Sequence, residues 1–198
     1  MSTDFKACSD GDLAALTLAG RQLAFAEIME RHRKPIYRLI RGLIGDSEEA
    51  LDLTQDCFVA AYSHLRTYDG GRPMRAWLSR IAINKCRDWR RRRAVRQLFT
   101  TAGVYSEEEV NAVPDDGPSA YEMLAAKSEL DRLMVAIDQL PASLREVLLL
   151  RTMQDLNQAD TAATLSLSGK AVETRLHRAR ARLAEFLAER RGESRLRA

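Results

Sequence analysis

The chain has 198 residues, of which 45% are hydrophobic and 30% are charged, with a net charge of +3, an ordinary composition for one or two globular domains. No apolar run approaches the roughly 20 residues that a membrane-spanning helix needs, and we expect no secretion signal, because no basic segment followed by an apolar one stands near Met1. Three cysteines without a CxxC spacing favour reduced thiols in the cytoplasm, and three scattered histidines give no metal-site pattern.

The charges are segregated along the chain. Residues 75–96 hold nine basic side chains and one acidic one, and residues 170–198 hold nine basic and four acidic ones. Residues 97–126 lie between these blocks and hold six acidic side chains and no Lys or Arg. This pattern predicts two surfaces that bind a polyanion, separated by an acidic segment.

Apolar residues recur at helical spacing through the first half of the chain and predict an all-α fold. Asp10 or Asp12 is expected to cap a first helix. A second helix should begin near Arg21. A third helix is expected to start at Pro35 and to end at Gly45.

Asp46 or Ser47 is expected to cap the next helix, whose first turn is acidic and therefore suits the helix dipole. A loop with Gly-Gly and Pro follows at residues 66–73. The basic helix after it should turn Trp77, Ile81 and Ala82 inward.

The segment from Thr100 to Ser119 has two prolines, two glycines and little periodicity, which predicts a linker. We therefore divide the all-α chain into two small helical domains joined by a flexible acidic linker. The boundaries are 1–98 for the N-terminal domain, 99–120 for the linker, 121–190 for a helix-turn-helix domain and 191–198 for a basic tail.

The last helix is amphipathic and follows a short helix and a tight turn, which is the helix-turn-helix pattern. On a helical wheel Leu176, Ala179 and Leu183 fall within roughly 40° of Val172 and predict a buried stripe. The opposite face is polar with basic edges, and Ser168 is placed to cap the helix. In this motif the exposed face meets base edges and flanking arginines meet phosphates. From this helix alone, a solvated basic surface is an equally good interpretation.

The C-terminal part resembles the DNA-binding region of bacterial extracytoplasmic-function (ECF) sigma factors. The residues in pattern there are Leu140, Pro141, Arg145, Glu146, Val147, Val172, Arg175, Leu176, His177, Arg178, Ala179 and Arg180. The motif at Asp52, Leu53, Gln55, Asp56 and Phe58 resembles the family's polymerase-binding helices. A third block resembles its promoter-opening helix through Arg75, Ala76, Trp77, Leu78, Ile81, Ala82, Asn84 and Asp88. Ser166 departs from the pattern, which usually has Gly in the turn, and a left-handed conformation costs Ser more than Gly.

The resemblance implies a protein that binds core RNA polymerase, directs it to promoters and has no enzyme activity or cofactor. Contacts to the upstream (−35) element are expected from Ser168, Lys170, Glu173, Thr174, Arg175, His177, Arg178 and Arg180. Contacts to the downstream (−10) element are expected from Arg72, Arg75, Arg80, Asn84, Lys85, Arg87, Arg90 and Arg91. Polymerase contacts are expected from Asp52, Leu53, Gln55, Asp56 and Phe58.

The resemblance further implies promoter DNA as a partner, a role in a stress or envelope response, and an anti-sigma factor as inhibitor. In relatives the acidic linker enters the polymerase channel, although a simple tether fits the sequence equally well. A helix-turn-helix repressor would leave the two upstream blocks unexplained. An RNA-binding regulator fits the two basic blocks but not the helix-turn-helix, and an enzyme would need a catalytic constellation that the sequence lacks.

Overall fold

The computed structural model describes residues 4–100 and 133–196, with side chains for 4–96 and 133–188. Every regular element in these ranges is helical, so the all-α prediction is confirmed. The α-helices are α1 (Asp10–Leu18), α2 (Gln22–Ile44), α3 (Ser47–Ser63), α4 (Met74–Thr100), α5 (133–138), α6 (Ala142–Thr152), α7 (Gln158–Leu165) and α8 (Gly169–Leu196). Short 3-10 turns at Phe5–Ala7 and Leu65–Thr67 complete the described structure.

Helix α1 is capped by Ser9, which corrects the expectation of an Asp cap. The Ser9 hydroxyl accepts the backbone N–H of Asp12, and the Asp12 carboxylate accepts the backbone N–H of Ser9, which together form a capping box. Asp10 instead pairs with Arg31 at 3.1 Å and with the Nε2 atom of His32 at 2.9 Å. Of the two caps expected for α3, Asp46 is the one observed, because its carboxylate accepts the backbone N–H groups of Glu48 and Glu49.

Helix α2 runs without a break through Pro35, so the prediction of a new helix at this proline was wrong. The apolar face keeps its register across the proline, and Ile28, Ile36 and Leu39 are all fully buried. Burial of that continuous face outweighs the backbone hydrogen bond that the proline removes.

Helix α4 continues to Thr100, two residues past the expected linker boundary at 98. The expected linker beyond that point, and the start of the second domain, lie outside the described residues. At the C-terminal end α8 continues to Leu196 and so includes most of the segment expected as a basic tail.

The predicted helix-turn-helix is formed by α7 and α8. Asn157 caps α7 by accepting the backbone N–H of Asp160. Ser166 ends α7 in the left-handed conformation, with φ of 57° and ψ of 47°. Three residues therefore separate the two helices, and the left-handed conformation falls on the serine that stands where the family usually has glycine.

The N-terminal helices and α6–α7 pack against each other. Helix α6 lies on α2 and α7 lies on α4, and one continuous buried cluster includes apolar residues from both halves. Helix α2 and helix α6 approach closely at Gly42, since a Cβ there would lie 3.0 Å from Leu149 Cδ1. We call this contact between α6–α7 and α2–α4 the docking interface.

None of the described helices is both long and apolar enough to cross a bilayer.

Candidate nucleic-acid interface

Helix α8 presents the polar face that the sequence predicted. Val172 and Ala179 are buried and Leu176 and Leu183 pack against the core, so the predicted buried stripe is confirmed. The opposite side, which we call the recognition face, consists of the exposed side chains of Lys170, Glu173, Thr174, His177 and Arg178.

The other three residues expected at the −35 element surround the recognition face. The Ser168 hydroxyl accepts the backbone N–H of Ala171 at 3.2 Å and so caps α8. Arg180 is exposed and Arg175 is partly buried.

Helix α4 holds most of the residues expected at the −10 element, and several are already engaged. Arg87 forms a two-pronged ion pair with Glu146 of α6: Nε lies 2.9 Å from Oε1 and Nη2 lies 2.6 Å from Oε2. This contact raises the pKa of Arg87 above its usual range. Arg75 donates to the backbone carbonyl of Gln154 at 3.0 Å.

Two further basic residues of α4 are held inside the N-terminal half. Lys85 lies 3.6 Å from the carboxylate of Asp56 on α3. Arg90 donates to the carbonyl of Leu43, near the C-terminal end of α2, where the helix dipole is negative. The remaining members of the set are exposed, namely Arg72, Arg80, Asn84 and Arg91.

The loop before α4 forms one wall of a cavity of about 180 Å³. Tyr68 and Trp77 stand with ring centroids 5.5 Å apart, and the Tyr68 hydroxyl donates to the carbonyl of Arg72 at 2.7 Å. The opposite wall consists of Asp160, Ala163 and Thr164 from α7. An aromatic wall beside a basic loop suits an unstacked base, but in this arrangement α7 covers it.

Only part of the set expected to bind polymerase reaches the surface of α3. Asp52, Gln55 and Asp56 are exposed. Leu53 and Phe58 are 7% and 2% exposed, so the expectation that their side chains contact polymerase needs correction. They pack in the core because the helical period places them on the face toward α2 and α4.

The sequence reasoning missed apolar side chains on the exposed side of the same helix. Leu51, Val59 and Tyr62 are 47%, 68% and 47% exposed, and the ring of Tyr62 contacts that of Phe25 edge-on at 5.0 Å. The signal was available, since these residues lie on the side of the α3 wheel that also carries Asp52 and Gln55.

The buried residues of the docking interface were also missed as a set. Glu146 is 4% exposed and Gln154 is fully buried, and the Gln154 Nε2 atom donates to the carbonyl of Pro35 at 2.8 Å. Arg145 donates to the carbonyl of Leu43 at 2.7 Å. Each partner lies in the other half of the chain, so no local pattern could have indicated these pairs.

Cys57 and Cys86 are buried, and burial raises the pKa of each thiol to about 12. Both are therefore poor nucleophiles at neutral pH. Among the described residues, no group of three or more His, Cys, Asp or Glu side chains is arranged to hold a metal ion.

Comparison with known proteins gives two family matches in the same order as the two halves. Sigma-70 region 2 matches residues 28–96, and Sigma-70 region 4 matches residues 130–183. RNA polymerase sigma factor CnrH of Cupriavidus metallidurans is 39% identical over 180 residues, which cover 90% of this chain and 94% of CnrH. ECF RNA polymerase sigma factor SigM of Mycobacterium tuberculosis is 34% identical over 179 residues, which cover 90% of this chain and 85% of SigM.

The solved structures agree. CnrH in complex with the cytosolic domain of CnrY matches with a TM-score of 0.68 and 33% identity, covering 91% of this chain and 97% of that one. The sigma factor RpoE of Bartonella quintana, in complex with the anti-sigma factor NepR, shares the fold with a TM-score of 0.67 at 24% identity, covering 83% of this chain and 96% of that one. The chain therefore belongs to the ECF sigma factors, initiation factors without enzyme activity that bind core RNA polymerase and direct it to promoters.

Proposed function

We propose that this sigma factor reads the −35 element with the recognition face of α8 and holds the opened −10 strand with α4 and the loop before it. The exposed carboxylates and apolar side chains of α3 form its polymerase-binding surface. It works in the cytoplasm, where an anti-sigma factor inhibits it until a stress or envelope signal arrives.

The observation that supports the −35 assignment is the separation of the two sides of α8. Its buried stripe faces α6 and α7, and five polar side chains on the opposite side are exposed together. Base edges in the major groove are read by such a set when a capped helix enters by its N-terminal end. Arg175, Arg180 and the Ser168 end of the helix then suit the flanking phosphates.

The −10 assignment is supported by the kinds of side chain that remain exposed on α4 and the loop before it. Asn84 is exposed and offers both a donor and an acceptor to a base edge. Arg80 and Arg91 are exposed beside it and suit the backbone of a single strand. The wall formed by Tyr68 and Trp77 suits an unstacked base, which is readable at its pairing edge only after melting.

The α3 surface combines charge with apolar area. Asp52, Gln55 and Asp56 are exposed beside Leu51 and Val59, and a groove of about 330 Å³ separates this helix from α2 near Tyr37. Interfaces of this kind combine an apolar centre with a polar rim. A basic, partly apolar helix pair on the polymerase is the complementary surface.

Run-off transcription tests the proposal as a whole. Purified core polymerase is mixed with the chain and with genomic fragments, and promoter-specific transcripts are expected only when the chain is present. Arg178→Ala should lower transcription from these promoters, whereas Glu185→Gln, exposed on α8 about two helical turns beyond Arg178, should leave it unchanged. A lack of any chain-dependent transcript, or equal loss in both variants, would show that the assignment is wrong.

The anti-sigma partner is supported by two structural relatives solved as complexes, RpoE with the anti-sigma factor NepR and CnrH with the cytosolic domain of CnrY. A pull-down from unstressed cells should recover a small protein in place of polymerase. Recovery of polymerase under every condition would place the control elsewhere, for example in synthesis of the sigma factor.

A further inference from the structure

We propose that Glu173 determines the base specificity of this sigma factor at one position of the −35 element: its carboxylate accepts a hydrogen bond from the N4 amino group of a cytosine and disfavours the other three bases there. The inference rests on the −35 assignment proposed above and names the base that one residue of the recognition face reads. Arg175 and Arg180, which flank that face, supply affinity that does not depend on sequence.

Glu173 has no structural task in α8. Its side chain is exposed and makes no hydrogen bond or ion pair with a described residue, although Lys170 and His177 stand three and four positions away, where partners on a helix meet. The helix dipole favours an acid in the first turn, but the first turn of α8 contains none, and Glu173 is the fifth residue after a start at Gly169. The carboxylate is therefore left to solvent or to a ligand.

The recognition face offers many donors and few acceptors. Lys170 and Arg178 can only donate. The hydroxyl of Thr174 donates its proton to the carbonyl of Lys170 at 2.9 Å, so its methyl group is the part left for a base. His177 accepts a hydrogen bond only when its ring is neutral. The Glu173 carboxylate is thus the strongest acceptor that this face presents to DNA.

The major groove contains few donors that suit such an acceptor. Cytosine presents its N4 amino group and adenine its N6 amino group, whereas guanine and thymine present acceptors. Adenine also presents N7, an acceptor beside N6, which repels the second oxygen of a carboxylate. Cytosine has no acceptor on its own edge of the major groove. Glu173 is therefore complementary to cytosine and unfavourable against the other bases.

A carboxylate on a DNA-binding face also lowers affinity for the wrong sequences. Lys170 and Arg178 attract any duplex, because phosphates carry the same charge everywhere. Glu173 is repelled by those phosphates, and opposite a wrong base it loses water without gaining a partner. Specificity is a difference of affinities, and an unfavourable contact with competitors raises it as effectively as a favourable contact with the target.

Two variants and one control separate base reading from a change of charge. Glu173→Gln keeps the size of the side chain and adds an amide that donates to acceptors on the other bases, whereas Glu173→Ala removes both the attraction and the repulsion. Glu185→Gln makes the same change of charge at an exposed position of α8 about three helical turns further on. Both positions are exposed, so each variant should fold, and thermal unfolding checks that it does.

Base preference is measured with holoenzyme on duplexes of a promoter identified by run-off transcription, randomised in the −35 element. Wild-type holoenzyme should prefer cytosine at one position by about tenfold. This preference should weaken in Glu173→Gln and disappear in Glu173→Ala, and affinity for duplexes without this cytosine should rise in both. Preferences at the other positions should persist, and the control should match the wild type throughout.

A single atom group of the DNA tests the contact directly. In one duplex the cytosine is replaced by deoxyzebularine, the same nucleoside without its N4 amino group. Wild-type holoenzyme should bind this duplex about tenfold more weakly than the unmodified one. Glu173→Ala should bind the two duplexes equally, and the cycle formed by the four affinities assigns the loss to the pair of groups.

An unchanged base profile in both Glu173 variants would overturn the inference. A uniform change over all sequences would overturn it too, because Glu173 would then face only phosphates, and so would equal losses on deoxyzebularine with and without the carboxylate. Arg178→Ala separates this failure from that of the proposed function. A −35 preference that depends on Arg178 but not on Glu173 refutes the specificity inference alone. A wild type without any −35 preference, with Arg178→Ala silent, refutes the −35 assignment and the inference with it.

Discussion

The two basic helices, α4 and α8, differ in what their charges are free to do. The recognition face of α8 is exposed along its length, whereas on α4 Arg75 and Arg87 are engaged by α6 and its neighbouring loop, and Arg90 is held inside the N-terminal half. Both helices have the composition of a polyanion-binding surface. The difference teaches that charge density predicts affinity for DNA, while the packing around the charges decides when that affinity is available.

The largest expected effect comes from the core beneath the two surfaces. Leu149→Ala should destabilise the C-terminal half by about 3 kcal/mol, and Val172→Ala by about 2 kcal/mol, because both side chains are fully buried or nearly so. Only Leu149 also contacts Gly42 across the docking interface. Urea unfolding should therefore show a loss of stability for both, and small-angle X-ray scattering in water should show a larger radius of gyration only for Leu149→Ala. An equal increase in radius for both variants would show that the two positions do not differ in their contact with the N-terminal half.

A smaller effect is expected on the recognition face. Arg178→Ala and Thr174→Ala should each cost about 1–3 kcal/mol at one base position of the −35 element if the side chain reads a base edge. Because this face is exposed in the docked chain, the same base position should respond in the free chain and in holoenzyme. Binding across a library of −35 variants provides the measurement. Uniform loss over every sequence would mean that the face holds phosphates only.

On α4 we expect a change in salt dependence. Arg91 lies 3.0 Å from Asp88 in the same helix, but both side chains are exposed to solvent. Arg91 is therefore available to a phosphate. Arg91→Ala should reduce the slope of log affinity against log salt by about one, measured with holoenzyme on duplex, bubble and single-strand forms of one promoter.

Asn84→Ala is the comparison on the same helix, because Asn84 is uncharged and its removal should leave the salt slope unchanged. If Asn84 assists melting, a preformed bubble in the promoter should partly restore the binding of this variant. Equal affinity for all three DNA forms, with both variants silent, would show that α4 does not engage the opened strand.

The smallest effect distinguishes two serines of the helix-turn-helix. Ser166→Gly should stabilise the chain by up to about 1 kcal/mol, because φ of 57° is unfavourable for a residue with a Cβ. Ser168→Ala should destabilise it by about 1 kcal/mol through loss of the α8 cap. Urea unfolding measures both changes in stability. A destabilised Ser166→Gly variant would mean that the Ser166 side chain has a role in the turn that outweighs the backbone strain.

The sequence by itself determined features that depend on neighbours along the chain. The buried stripe of α8 follows from the helical period, and a cap at Asp46 or Ser47 follows from capping chemistry, both of which act over a few residues. The family resemblance placed both domains because its motifs are also local. For the same reason it could not separate Leu53 and Phe58, which are buried, from the exposed members of their motif.

Only the tertiary structure decided the features that join distant residues. Helix α2 continues through Pro35 because a buried face on both sides of the proline outweighs one missing hydrogen bond. Arg87 meets Glu146 across 59 positions of sequence, and Arg75 meets the Gln154 carbonyl across 79. Neither pair has a periodicity or a spacing that marks it, since its energy exists only after the two halves have packed. Whether a basic residue is free for DNA is therefore a property of the packed chain, because a neighbouring carboxylate or helix can occupy its donors first.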